Sequence, residues 1–591
     1  MTTSSGTRAA PGRSGGSDDV RGREDTSEGV AADEGTALLN DESQPRKDSW
    51  VGSEDFEGLS WWNRPSVWWL MVPYSTFTLA FGGSIVPKLN LIMDLICQRY
   101  FRDRLAVDPS FIFNPVIPGG ENPECRIIPD IQKRVATFTL VLSVIVGLLS
   151  SLTAPKLGSL SDRYGRKRLI VVSSFGAIVG EVIIILAGKY PEVVHYNWLI
   201  LGAVCDGLGG SFTAGSVLST AYAADCTPPS KRSVAIGYLH ACLFGGLAFG
   251  PLLASYFVKW TGSLLFIFYV TLGCHLFFIL FILFLTPESL SKRRQLLARE
   301  KYSVWAADLE PPAEWLTELA VWLPLGKVFS SIFHSAQTAN PLGPLAILSP
   351  PGPANKRVRR NLLMLAFIDM GILGAAMSAG TVLVLYTELM FDWGTVEASR
   401  FISMTSMVRV VVLMGVFPIV NYFFRTRPNA RRRRESQAPA QSEKNSGADE
   451  LDVWILRIAL ISDVIGVAGY IFVRTVPLFI ACAVMTAMGG LGSATIQSAL
   501  SKHVPAEQVG QLLGAIGLLH SLARVISPVI FNGLYAATLS TFPQAFFVLL
   551  TTVFALALVA SFFVRPHVFL EEEEVPVTAT ASEADEGSAL L

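Results

Sequence analysis

Long apolar runs separated by short polar connections dominate the hydrophobic pattern of this chain. A helix needs roughly 20 apolar residues to cross a bilayer, and the chain contains twelve runs of that kind. They cover about residues 66–95, 131–154, 168–188, 197–223, 234–257, 263–286, 361–388, 399–424, 453–473, 477–500, 510–536 and 541–564. The pattern predicts an all-α membrane protein with twelve transmembrane helices.

Two polar tails and one long polar connection divide the chain into five regions. Residues 1–60 are rich in Gly, Ser and acidic residues, and residues 566–591 form an acidic tail, so we expect both ends to be disordered. The connection 287–360 is too long for a helix hairpin and separates six runs from six. We therefore expect an N-terminal six-helix half over 61–286 and a C-terminal six-helix half over 361–565.

Composition supports a membrane protein and narrows the function classes. Of 591 residues, 51% are hydrophobic and only 16% are charged, which is too apolar for a soluble protein of this length. The net charge of −1 gives no reason to expect nucleic acid as a partner. No Gly-x-x-x-x-Gly-Lys-Ser/Thr phosphate loop occurs, and no nucleophile or metal-ligand pattern stands out. We expect neither an enzyme nor an ATP-driven pump, and no metal or other cofactor.

The charged segment between the second and third runs carries the most specific pattern. It reads Gly158-Ser-Leu-Ser-Asp162-Arg163-Tyr-Gly165-Arg166-Lys167-Arg168. The glycines allow close helix approach and a turn with positive φ. Asp162 is placed to stabilise a helix N-terminus, to pair with Arg163 or to contact a neighbouring helix. The positive charges predict that this segment faces the cytoplasm, although any basic loop would serve as such a signal.

The spacing Gly-x-Leu-x-Asp-Arg-x-Gly-Arg-Lys-Arg resembles the motif between helices 2 and 3 of the major facilitator superfamily. The resemblance implies a secondary transporter that works by alternating access. It assigns a hinge and latch to Gly158, Asp162, Arg163, Gly165, Arg166 and Lys167. In that role, Asp162 would help to hold the two halves together on the cytoplasmic side.

An internal repeat supports two duplicated halves. A shift of 280 residues aligns the fourth and fifth runs with the tenth and eleventh, without a gap. Ala-Ile-Gly-Tyr-Leu-His at 235–240 thus falls on Ala-Ile-Gly-Leu-Leu-His at 515–520. Such a repeat is typical of transporters whose site lies at the bilayer midplane between the halves. The Gly-x-x-x-Asp-Arg pattern itself is not repeated after the eighth run.

Charged and titratable residues lie deep within the apolar runs. They are Asp206, Asp369, Asp463, Arg409, Arg524, His240 and His520. Each charge at mid-membrane costs on the order of 2.5 to 3.5 kcal/mol, so most must face a polar cavity or each other. Structural pairing of acids with arginines and binding of substrate or protons are both open interpretations.

His240 is the sharpest candidate for proton coupling. Stretches such as Asp225-Cys-Thr-Pro-Pro-Ser-Lys-Arg232 and Phe531-Asn-Gly-Leu-Tyr535 are similar to the proton-coupled folate and haem carrier group. That group has an acidic residue linked to proton coupling in its fifth helix, where this chain has His240. A histidine titrates near neutral pH, so the resemblance implies that it takes over this role. Gln497 stands where the group has a basic residue, which argues against folate-like substrates.

The fifth run also contains Gly246-x-x-x-Gly250-Pro251, which resembles part of the antiporter motif of drug/proton exporters. The resemblance implies a pliable contact between the halves and favours export, while small-residue packing explains the pattern equally well. We therefore predict a proton-coupled exporter of a small organic molecule. Two alternatives stay open: a proton-symport importer of an organic anion, with Arg409 and Arg524 lining its cavity, and a non-transporting membrane sensor.

Cysteines and terminal sequences bear on location. Cys97 and Cys125 share one non-cytoplasmic connection, where a disulfide and two free thiols are both open. Two near-identical sequences near the ends resemble acidic dileucine signals that sorting adaptors bind. Their key residues are Glu34, Leu38 and Leu39, and Glu586, Leu590 and Leu591. We expect both termini in the cytoplasm and the protein in a vacuolar or endosomal membrane, with the plasma membrane as the alternative.

Overall fold

The computed structural model describes residues 54–107, 122, 125, 128–306, 342–393, 395–436, 443, 445–538 and 541–570. The regular elements within these ranges are helices, so the predicted all-α membrane fold is confirmed. The six residues of the dileucine-like sequences lie outside the described residues: Glu34, Leu38, Leu39, Glu586, Leu590 and Leu591.

Twelve apolar helices follow one another along the described residues, and we number them α1 to α12. They are α1 Val67–Val107, α2 Pro129–Tyr164, α3 Arg166–Lys189, α4 Trp198–Asp225, α5 Arg232–Thr261, α6 Leu265–Phe284, α7 Lys356–Phe391, α8 Arg400–Arg432, α9 Glu450–Phe472, α10 Val476–Lys502, α11 Val509–Thr538 and α12 Ala545–Ser561. All but the shorter α12 contain a stretch long and apolar enough to cross a bilayer. One further helix, Lys292–Ala306, follows α6, and we call it the bridging helix.

The internal repeat is visible as a shared break in α4 and α10. The first helix is interrupted at Gly209 and Gly210, where Gly210 has a φ of 81°. The second is interrupted at Gly489, which the 280-residue shift aligns with Gly209. The two halves therefore share a local backbone feature as well as a sequence pattern.

The segment predicted as a loop between α2 and α3 is almost entirely helical. Helix α2 continues through Asp162 to Tyr164, α3 begins at Arg166, and Gly165 alone links them with a φ of 95°. A positive φ favours glycine, and a side chain at Gly165 would also collide with the Glu288 carboxylate. Asp162 is thus fixed on a helix end, which limits where its carboxylate can reach.

Three hydrophobic cores support the bundle. One draws mainly on α7 to α12, and the other two draw mainly on α1 to α6. Side chains also cross between the groups: Val217 and Ala221 of α4 join the first core, while Leu413 and Phe417 of α8 join a core of α1 to α6. The two groups of six helices therefore pack against each other through apolar surfaces.

A disulfide ties the end of α1 to the connection before α2. The structure bonds Cys97 to Cys125, with their Cα atoms 5.7 Å apart. Both residues are buried in the third core, beside Leu95 and Ile131. Of the two states left open by the sequence, the structure therefore has the disulfide.

Candidate functional site: a charged latch and a histidine cluster

The motif residues stand at one end of the bundle, which we call the motif face. There Asp162, 3% exposed, accepts hydrogen bonds from the backbone N–H groups of Gly510 at 3.0 Å and Gln511 at 2.8 Å. These residues begin α11, and the unpaired N–H groups of a helix start carry the positive end of its dipole. Asp162 of the first six helices therefore caps a helix of the second six.

Arg166 holds the Asp162 carboxylate in position. Its fully buried guanidinium contacts Asp162 at 2.7 Å and Asp225 of α4 at 2.9 Å. The structure therefore pairs Asp162 with Arg166, across the turn at Gly165, and not with Arg163. Arg163 instead donates to the carbonyl oxygen of Ser159 at 3.3 Å.

Glu288 closes the start of α3. Its carboxylate accepts the backbone N–H of Arg166 at 2.8 Å and of Lys167 at 3.2 Å. Burial raises the pKa of the Glu288 carboxyl, and hydrogen bonds from the N–H groups of Arg166 and Leu290 oppose that rise. The acid that caps α3 is therefore Glu288 in the connection after α6, while Asp162 is used across the halves.

The bridging helix packs against the motif. The Arg163 guanidinium lies 3.6 Å from the centroid of the Tyr302 ring, and the Arg299 guanidinium lies 5.0 Å from that of Tyr164. Arg299 Nε also donates to the carbonyl oxygen of Arg163 at 2.9 Å. Two cation–π contacts and a hydrogen bond thus fasten this helix to the end of α2.

Gly158 lets α2 and α11 approach closely enough for the cap to form. A Cβ atom at this position would lie 2.8 Å from the Cα atom of Gly514 and closer still to the carbonyl oxygen of Gly510. Any side chain there would push the start of α11 away from Asp162. The sequence-predicted hinge glycine therefore acts at the contact between the halves.

A second buried charge network stands on the same face. Arg425 of α8 contacts Asp452 of α9 at 2.8 Å, and Lys502 of α10 contacts Asp452 at 2.6 Å. Arg425 also donates to the carbonyl oxygen of Ser230 at 3.0 Å, and the Ser233 hydroxyl donates to Asp452 at 3.2 Å. Ser230 and Ser233 flank the start of α5. The second six helices therefore hold a helix start of the first six.

The sequence shows no second copy of the motif, but the structure has an equivalent network. The first network joins α2, α3 and α4 through an acid, a base and an acid, and caps α11. The buried part of the second joins α8, α9 and α10 through a base, an acid and a base and holds the start of α5, while the partly exposed Asp449, just before α9, is a further acid 2.9 Å from Arg425. We call them the first and second latch. Because the charges are inverted, sequence comparison could not reveal the correspondence.

Two histidines and an aspartate from the two halves lie within electrostatic range of one another. His520 Nε2 of α11 lies 2.6 Å from a carboxylate oxygen of Asp369 in α7. His240 of α5 lies within electrostatic range of both, and its Nδ1 is 3.0 Å from the carbonyl oxygen of Ile236. Each half therefore contributes a histidine of the repeated Ala-Ile-Gly-x-Leu-His sequence to one titratable cluster.

Arg409 and Arg524 of the second half each lie over an aromatic ring of the first. The Arg409 guanidinium is 4.8 Å from the centroid of Phe244, and the Arg524 guanidinium is 5.9 Å from that of Phe212. Within the described part of the chain, Arg409 Nε is buried without a hydrogen-bond partner. These contacts place both cations at the boundary between the halves.

The remaining predicted acids accompany these arginines. Asp463 lies within electrostatic range of Arg409, and Asp206 lies within that of Arg524. Asp463 packs against Gly489 at the break in α10. The seven predicted residues thus form three groups: the histidine cluster, the pair Arg409 and Asp463, and the pair Arg524 and Asp206.

The antiporter-like glycines pack within one half. Gly246 contacts the backbone of Thr78, and Gly250 contacts the backbone of Gly83, so both lie against α1. These two glycines therefore pack within the first half, while the same stretch of α5 contacts the second half at Ala248, whose carbonyl oxygen accepts a hydrogen bond from the Ser403 hydroxyl of α8 at 3.1 Å. Helix α5 also continues through Pro251 without interruption.

Glu181 and Lys88 are charged groups that the sequence analysis passed over. Glu181 in α3 is 8% exposed, and Lys88 in α1 lies within its electrostatic range. Both interrupt apolar runs, so the criterion that selected Asp206 applied to them as well. Arg425 and Lys502 were not selected either, because they lie just beyond the ends of apolar runs, where a charged side chain reaches the membrane surface and does not indicate a functional site.

A comparison with models of protein families identifies the family of this chain. The model of the Major Facilitator Superfamily matches residues 123–434, more than half of the chain. The chain belongs to this superfamily. The match spans the Gly158 to Lys167 motif on which the resemblance was first based, so that prediction is confirmed.

Individual relatives extend the match. The MFS-type transporter avaJ of Aspergillus versicolor is 28% identical over 537 residues, which cover 89% of this chain and 94% of that protein. The class C tetracycline resistance protein of Escherichia coli is 26% identical, covering 72% and 86%. The crystal structure of the human organic anion transporter MFSD10 shares the fold, with a TM-score of 0.58 and 16% identity over 84% of this chain and 98% of that one.

Proposed function

We propose that this chain is a proton-coupled secondary transporter that exports a small organic molecule by alternating access. The observation that carries the proposal is the cluster of His240, His520 and Asp369, because it joins titratable groups of both halves at their boundary. Changing the protonation of such a cluster alters the charge between the halves, and this couples a proton to their rearrangement. The proton gradient is the energy source, and no cofactor is required.

The two latches support alternating access. Each latch is a buried ion-pair network of one half that closes the motif face by hydrogen bonds to a helix start of the other half, so the halves can part by breaking these hydrogen bonds without breaking a helix. We assign the motif face to the cytoplasm because its positively charged connections follow the positive-inside rule. The conformation described here then has its cytoplasmic side closed. One proton moving across one pH unit supplies about 1.4 kcal/mol, enough for a tenfold substrate gradient.

Relatives favour export. The class C relative is named as a tetracycline resistance protein and the avaJ relative as a transporter. The competing function is a symporter that imports an organic anion. Its supporting observation is the arrangement of Arg409 over Phe244 and Arg524 over Phe212, since a cation beside an aromatic ring suits an anion that carries apolar surface.

The decisive experiment compares small molecules inside and outside cells that contain or lack the protein. Cells with His240→Ala serve as the test variant, and cells with His195→Ala, in the connection after α3, serve as the matched control. Accumulation of a compound inside both the cells that lack the protein and the His240→Ala cells supports proton-driven export. Depletion supports import, and no change in either pool supports the non-transporting sensor.

Location is tested separately. We propose cytoplasmic termini and a vacuolar or endosomal membrane, because both terminal sequences resemble signals read by sorting adaptors. Replacing Leu38 and Leu39, or Leu590 and Leu591, with alanine is expected to redirect a fluorescently tagged chain to the plasma membrane. A tagged parent chain at the plasma membrane would contradict the sorting role.

A further inference from the structure

Glu181 is a buried acid that neither the latches nor the histidine cluster uses. It lies in the middle of α3, within the sequence Val-Gly-Glu-Val-Ile-Ile-Ile, and is 8% exposed. Its Oε2 atom is buried and, within the described part of the chain, has no hydrogen-bond partner. An ionised carboxylate oxygen that is buried without a partner has a large free-energy cost, so we expect this position to bind a proton or another cation.

A second acid faces the same region from α4. Asp206 lies within electrostatic range of Glu181, and its carboxylate accepts a hydrogen bond from Ser211 at 2.9 Å. Close packing fixes the two helices: Gly176 of α3 lies against the backbone of Asp206, and Gly180 lies against Gly202. The two carboxyl groups are therefore held on rigid, adjoining helices.

Basic groups flank the two acids from either side. Lys88 of α1 lies within electrostatic range of both acids, and Arg524 of α11 acts on Asp206. Lys88 is exposed in the middle of α1, and a lysine at that depth normally faces water rather than lipid. Helix α6 also packs against α3, and its titratable residue His275 lies against Phe77, 5.5 Å between ring centroids.

We propose that Glu181 and Asp206 form a proton-binding site inside the first six helices, separate from the histidine cluster between the halves. The negative charge of either carboxylate makes ionisation of the other more costly, so the pair favours a state in which one of the two acids holds a proton. Lys88 links this site to water, and Arg524 links it to the second half. The inference rests on the proposed proton coupling, to which it adds a second place where a proton is held during the cycle.

Infrared difference spectroscopy on the full-length protein in nanodiscs tests the site without a known substrate. A protonated carboxylic acid gives a carbonyl-stretch band that disappears when the acid ionises, so a pH titration detects each buried acid directly. We expect Glu181→Gln to remove one such band and Lys88→Met to shift the midpoint at which that band titrates. The matched control is Glu192→Gln, an exposed acid in the connection after α3, which should leave the band unchanged.

Two outcomes overturn the proposal. One is a Glu181→Gln spectrum that keeps every band of the parent protein. The other is loss of the same band in His240→Ala, because the acid would then belong to the histidine cluster. Failure of the proposed function looks different: flux driven by a pH gradient would persist in His240→Ala, whatever the spectrum of Glu181→Gln shows.

Discussion

The Asp162→Asn substitution probes the first latch most directly. The parent carboxylate accepts two backbone N–H groups of α11 and an ion pair from Arg166. Hydrogen bonds to a charged group contribute about 1.5 to 3 kcal/mol each, against about 1 kcal/mol for neutral ones. Asparagine keeps one neutral acceptor and loses the charge that favours a helix N-terminus. We expect the closed motif face to lose about 2 to 4 kcal/mol, or a factor of roughly 30 to 1,000 in the opening equilibrium.

Opening is measured as the reaction of a single cysteine with a membrane-impermeant maleimide. Gln497→Cys is a suitable reporter because Gln497 is 8% exposed and pairs with Thr220 of the other half at 3.2 Å. The five free cysteines are first replaced by alanine: Cys205, Cys226, Cys242, Cys274 and Cys482. The labelling rate should rise at least tenfold in Asp162→Asn.

The matched control for this substitution is Asp103→Asn. Asp103 is an exposed acid at the far end of α1, where it pairs with Arg99 at 3.2 Å, so its loss should leave the labelling rate unchanged. A rate in Asp162→Asn within twofold of the parent, in protein of normal melting temperature, would refute the reasoning. Asp162 would then stabilise the helix end locally without controlling access.

Three further predictions concern the motif face. Asp452→Asn removes the buried carboxylate shared by Arg425 and Lys502 and leaves them only the partly exposed Asp449, 2.9 Å from Arg425 and 4.0 Å from Lys502, so the free energy of unfolding should fall by about 3 kcal/mol; a melting temperature equal to the parent would contradict this. Burial lowers the pKa of His503 from 6.5 to about 4, so the unfolded chain takes up a proton first on acidification. Stability should therefore fall by up to about 3 kcal/mol between pH 6.5 and 4, and His503→Gln should flatten that part of the melting profile. Gly158→Leu should separate α2 from α11 and raise the labelling rate of the Gln497→Cys reporter, whereas an unchanged rate would rule out a tight contact.

The sequence was sufficient for features with a local signal. Apolar runs of about 20 residues give the helices, the 280-residue repeat predicts two corresponding halves, and the shared breaks at Gly209 and Gly489 match it. The motif identified Asp162 and Arg166 as hinge and latch residues, although not as partners of each other. Its signal lies in spacing along one stretch of chain, which is the kind of information a single sequence contains.

Partners that are distant in the chain could not be predicted in the same way. Asp162 and Gly510 are 348 residues apart, and nothing near Gly510 marks it as the start of a capped helix. Glu181 is a different case, because it interrupts an apolar run in the same way as Asp206 and was therefore identifiable from the sequence. The packing partner of Gly246 could not be predicted either, because a small-residue face identifies close packing but not the helix that packs there.

The two latches show why corresponding charge networks in two duplicated halves can have dissimilar sequences. The first latch carries two acids and one base, and its excess negative charge faces the N–H groups at the start of α11. The second carries two bases and one acid in its buried core, and Arg425 donates to a carbonyl oxygen just before α5. Each network thus matches the backbone group that it meets, and the sign of its charges follows from that group. Because a carboxylate suits free N–H groups and a guanidinium suits a carbonyl oxygen, geometry can be conserved between the halves while the residue types are exchanged.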